Sequence, residues 1–67
     1  GLELYDELLM QIKAKRSVLP EKITLACEID PAQKEKLPKI IRAHFPAANV
    51  VVIDDLAHLP RLVVAVM

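Results

Sequence analysis

The sequence predicts a small α+β domain with elements in the order helix, strand, helix, strand, strand. It should form a three-stranded mixed sheet with two helices packed on one face. Three observations carry this reading. Residues 22–29 alternate, with Ile23, Leu25, Cys27 and Ile29 against Lys22, Thr24, Ala26 and Glu28, the period of a half-buried strand. Asp30-Pro31-Ala32-Gln33 places a cap acceptor, a proline where an N–H would go unpaired, and a glutamine at the third helical position, together a helix start. Residues 49–54 and 61–66 are two apolar runs joined by a polar loop, the pattern of a hairpin.

The first helix is expected over residues 2–15. Leu2, Tyr5, Leu8, Leu9 and Ile12 recur at helical spacing, and Leu4 and Met10 widen the stripe. Glu3, Asp6 and Glu7 lie early and Lys13, Lys15 and Arg16 late, which complements the helix dipole. Pro20 closes the segment. The second helix is expected over 31–45, with Leu37, Ile40, Ile41, His44 and Phe45 on one side and Lys34, Lys36, Lys39 and Arg42 largely on the other. Pro38 interrupts that pattern, because proline inside a helix removes a hydrogen bond and clashes with the preceding turn. It predicts either a kink or a loose first turn, with the regular helix starting near residue 37. Pro46 ends the helix by pushing residue 45 out of the α region.

Strand 22–29 and strand 49–54, joined by a helix, should run parallel through a right-handed crossover. Strand 61–66 should then return antiparallel to its neighbour. The hairpin strands are apolar on consecutive residues. One parity contains Val50, Val52, Val63 and Ala65, the other Val51, Ile53, Leu62, Val64 and Val66. A sheet with one wet face would alternate apolar and polar residues. Two helical stripes cover about one face, so the other is expected to need a partner. The connection Asp55 to Pro60 has no glycine. Its expected forms are a short helical turn around Leu56-Ala57-His58 or a mobile loop.

The chain has 67 residues and reads as one domain. A domain of this size buries only about 60% of the surface that its unfolded chain exposes. Such domains usually add a disulfide, a metal or a partner. Cys27 is the only cysteine, so no internal disulfide can form; as a strand residue it reads as a small buried hydrophobe and fits a reducing, cytoplasmic setting. Apolar residues make up 54% and the net charge is zero, from nine basic and nine acidic residues. That balance gives no overall attraction to nucleic acid or anionic lipid, and no apolar run reaches the ~18–20 residues of a membrane span. Position 1 is glycine, which leaves open that the chain is part of a longer protein.

Catalytic signatures are sparse. Asp54, Asp55 and His58 form the one cluster with metal-binding or proton-transfer chemistry. Neighbouring residues at a strand end point apart, so the expected role is a solvated loop. His44, near the end of the second helix, is expected to interact with its carbonyl end. Ser17 is the only serine, without a His or Asp partner, and the only glycine is Gly1, so no phosphate-cradling loop exists. No catalytic group, metal or cofactor is expected.

The segment Lys22–Val66 resembles one family. An alternating strand leads into a helix ending in Arg42-Ala43-His44-Phe45-Pro46, followed by Ala48-Asn49-Val50-Val51-Val52, a loop and a second apolar strand. This is similar to the front part of the DinI-like domain of SOS and prophage regulators. That family continues into an acidic helix used on the RecA filament. Residues 1–67 hold no such helix after the hairpin, and an additional helix is expected at residues 2–15 instead. The resemblance implies a small regulator that acts by gripping another protein, such as a repressor (an antirepressor role) or a RecA-type filament.

The expected function is therefore a non-enzymatic protein-binding regulator that self-associates, most simply as a dimer. Tyr5, Leu9, Val50, Val52, Leu62, Val64 and Val66 are the expected protein interface. Lys34, Lys39 and Arg42 are a candidate charged contact face. The alternatives are a nucleic-acid-binding module using that basic helix face, or an assembly domain of a larger protein.

Overall fold

The structure, a computed structural model, describes residues 2–67. Helix α1 spans Glu3–Ala14 and is followed by a 3-10 turn at Arg16–Val18. Strand β1 spans Thr24–Glu28, a second 3-10 turn spans Pro31–Gln33, and helix α2 runs over Lys36–His44. Strands β2, Asn49–Asp54, and β3, Pro60–Val66, complete the domain.

Helix α2 is shorter than the sequence predicts, and Pro38 explains why. Asp30 N–H donates to Gln33 Oε1 at 3.1 Å, the return half of a capping box, but only one 3-10 turn follows it. The α-helix proper begins at Lys36, which places Pro38 at its third position. A first-turn N–H has no helical acceptor, so its loss there costs no bond. The loose first turn is the outcome, and Pro38 becomes a buried residue of the helix.

The strand order is β1-β3-β2, and both ladders are antiparallel. β1 and β2 do run in the same direction, since Thr24 and Asn49 both stand opposite Val66. They are not neighbours, because β3 inserts between them. The expected mixed sheet is thus antiparallel at every hydrogen-bonded pair, with the parallel relation confined to its two edges. The physical reason is cover: the central position goes to β3, whose Val63 and Ala65 have no exposed surface.

The core comprises Leu9 of α1, Leu37 and Ile41 of α2, and Cys27, Ile29, Val63 and Ala65 from the sheet side. Leu2, Tyr5, Leu25, Ile40, Phe45, Ala48, Val50 and Met67 pack around it. Both helices therefore cover the same face. The stripe of α1 is narrower than expected, because Leu4 is 80% and Met10 56% exposed. Leu9, expected at an interface, is fully buried in this core. It sits at the centre of the stripe, where α1 meets α2 and the sheet.

Candidate functional site

The register assigns every sheet residue to a face, because paired residues point the same way. Leu25 pairs with Ala65 and Cys27 with Val63; Val50 pairs with Ala65 and Val52 with Val63. This is the helix-covered face. On the other face, Val51 pairs with Val64, Ile53 with Leu62, and Asn49 with Val66. On β1, Thr24, Ala26 and the exposed Glu28 stand across from Val66, Val64 and Leu62, so this face carries one acid at its β1 border. No helix covers that face. Val51 is 51%, Ile53 45% and Val66 37% exposed, while Leu62 and Val64 at the centre are half-buried.

The expected interface residues thus divide between two sides. Leu62, Val64 and Val66 lie on the open face. Val50 and Val52 lie on the covered face, and cannot share a surface with Val64. Val50 is half-buried there; Val52 remains 36% exposed at the edge of the sheet. Tyr5 is half-buried, and its hydroxyl donates to the Glu28 carbonyl at 3.1 Å. It ties α1 to the outer edge of β1. Val51 and Ile53 belong to the open face as well, and the parity of the hairpin places them there.

The two sheet edges can be derived from the backbone bonds. Ile23 and Met67 exchange both N–H···O bonds, and Ile29 N–H donates to the Arg61 carbonyl. Hydrogen-bonded pairs alternate along an antiparallel ladder, so odd-numbered residues of β3 bond to β1 and even-numbered ones to β2. Asn49, Val51 and Ile53 then bond inward to β3. Val50 and Val52 turn their N–H and C=O groups outward, away from the sheet. On the opposite edge, the outward carbonyl of Glu28 is the one that Tyr5 holds.

A groove of about 390 Å³ runs beside the β2 edge, lined by Lys34, Glu35, Pro38, Lys39, Arg42, Val50 and Val52. The expected charged face and two expected apolar contacts meet there. Lys34, Lys39 and Arg42 are all exposed. Neither the His44–Asp6 nor the Arg61–Asp55 ion pair involves them.

The Asp54, Asp55 and His58 cluster does not converge. Asp55 instead organises the hairpin loop. Its Oδ1 accepts from Ala57 N–H at 2.8 Å and Leu59 N–H at 3.0 Å, and its Oδ2 from Arg61 Nε at 2.9 Å. The Arg61 bond first, then the backbone donors, hold the Asp55 carboxyl below its ordinary range. Asp55 N–H donates to the Leu59 carbonyl and His58 N–H to the Asp55 carbonyl. His58 takes φ 63, the left-handed conformation that a glycine-free turn must impose on some residue; histidine is among those that tolerate it. Among the described residues, no three His, Cys, Asp or Glu side chains gather as a metal ion would need. His44 Nε2 donates to Asp6 Oδ1 at 2.7 Å, joining α2 to α1. Burial pushes the Cys27 thiol up, which disfavours the thiolate that reactivity needs.

Arg16 is the structural residue that sequence reasoning passes over. Its Nη2 donates to the carbonyls of Glu21 and Met67, and its guanidinium lies 6.0 Å from the Phe45 ring centroid. It ties the segment after α1 to the end of the hairpin. The only signal in the sequence is its late position on a helix, which the dipole already explains.

No family model, no curated protein and no solved structure matches this chain. Among the described residues, no helix is long and apolar enough to cross a membrane.

Proposed function

We propose that this chain is a small, non-enzymatic protein-binding regulator that associates with a second copy of itself through the open sheet face. The observation that supports this is the row Val51, Ile53, Leu62, Val64 and Val66, an apolar surface opposite a face that two helices already cover. Two identical apolar sheet faces are self-complementary across a two-fold axis. Strands about 4.8 Å apart and about 20 Å long present roughly 300 Å² per copy. That is small against the ~800 Å² per partner of a standard interface, so the dimer should depend on concentration. The resemblance to DinI-like domains favours a DNA-associated protein, a repressor or a RecA-type filament, as the regulated partner in the cytoplasm.

Light scattering across a dilution series tests the reading. The wild type should move from dimer to monomer on dilution, and Val64→Glu should be a folded monomer throughout. A wild type that stays monomeric at the highest concentration overturns the self-association.

A further inference from the structure

We propose that the β2 edge and the groove beside it form a second binding site, which takes an extended acidic segment of another protein as a fourth strand. The proposal does not depend on the dimer, because the open face and this edge present different groups.

The first support is backbone chemistry. Val50 and Val52 direct their N–H and C=O groups away from β3. Neither is proline, and the only charge on β2 that could blunt the edge is Asp54 at its last position. An added strand can complete those bonds. The opposite edge is less available, since Tyr5 occupies the Glu28 carbonyl.

The second support is charge. A strand paired with β2 would send alternate side chains to the helix-covered side, above Val50 and Val52. There the groove presents Lys34, Lys39 and Arg42 around an apolar floor of Pro38, Val50 and Val52, with Glu35 as the single acid. The lining therefore carries three positive charges against one negative. The guest's acidic side chains would meet these cations. Its intervening apolar side chains would extend the row of Val51 and Ile53 on the other side. A second copy of β2 fits poorly here, because an antiparallel pairing of two β2 edges would put both basic groove walls on one side of the joined sheet. A nucleic acid strand would also be drawn to the cations, but it would leave the outward backbone donors and acceptors of Val50 and Val52 without a matching ladder.

The test uses a fluorescein-labelled, N-acetylated hexapeptide alternating valine and glutamate, titrated against the full chain by anisotropy. Binding should weaken at least tenfold in Lys39→Glu/Arg42→Glu and at least tenfold in Val52→Pro. Proline at 52 removes an outward N–H and leaves the inward bonds of Val51 and Ile53 in place; circular dichroism should confirm that the variant folds. Hydrogen exchange at the Val50 and Val52 amides should slow when the peptide binds. Val64→Glu should bind the peptide as the wild type does, which separates this site from the dimer face. Equal affinity for a valine–lysine peptide, no binding at millimolar concentration, or full competition by a short single-stranded oligonucleotide with no slowing at Val50 and Val52 would each overturn the proposal. So would a Val52→Pro variant that loses self-association, since a second copy would then occupy the edge.

Discussion

Val63 and Val64 are adjacent residues of one strand with the same β-branched neighbourhood in sequence, yet they live in different environments. Val63 has no exposed surface and touches the core that α1 and α2 build. Val64 looks out from the other side, next to Val51. The hairpin offers valines to both faces, and only one face has a cover. The difference teaches that composition here exceeds what folding the monomer uses. Two short helices shield one side of a three-stranded sheet, and the apolar residues on the other side are left uncovered.

The comparison is broken most strongly by charge. Val63→Asp should abolish the folded state, because it buries an unpaired carboxylate. Val64→Asp should keep the far-ultraviolet dichroism of the wild type and lose the dimer. If both unfold, the open face is part of the fold itself.

Truncation sharpens the same contrast between covered and exposed residues. Leu37→Ala empties a fully buried position and should cost about 2–5 kcal/mol in denaturant titration. A domain of this length has a total of roughly 3–10 kcal/mol, so the variant should be near the edge of folding. Leu4→Ala, at an exposed site on α1, should change stability by less than about 0.5 kcal/mol.

The hairpin loop joins β2 to β3, and Asp55 organises it. The folded state lowers the affinity of this carboxyl for protons, so its contribution is present above the ordinary carboxylate range and is lost as pH falls through the folded value. Asp55→Asn should therefore be less stable than the wild type at neutral pH, and the two should converge in acid. Thermal melts from pH 7 to pH 2 check this. His58→Gly should act in the opposite direction and more weakly, raising stability by up to about 1 kcal/mol by relieving the left-handed conformation, less what glycine loses in the unfolded chain.

Much of the fold was legible because it is local. Strand β2 coincides with its expected span, and β1, β3 and α1 differ by a few terminal residues. The alternation of residues 22–29 and the apolar runs of the hairpin survive any tertiary arrangement. Pro38 was legible as a problem whose form could not be chosen: the kink and the loose first turn satisfy the same local rule, and packing of Pro38 into the core selects the second. The site was half legible. The basic row is visible as residue types and the two parities of the hairpin separate correctly, but the expected interface draws on both, Val50 and Val52 with Val64, because both are apolar and neither shows which one the helices cover. An all-apolar run carries no period from which to assign faces.

The sequence by itself determined the kind of each element and the excess of apolar surface over what two helices can cover, because each follows from residue type and spacing along the chain. Tertiary structure decided that β3 takes the centre, that Leu9 goes inward, and that Val50 and Val52 share a groove with Lys34, Lys39 and Arg42. Those outcomes depend on which strands pair and in what register. Register is fixed when one face of the hairpin finds the helices, and only then do the remaining backbone edges and side chains acquire a direction.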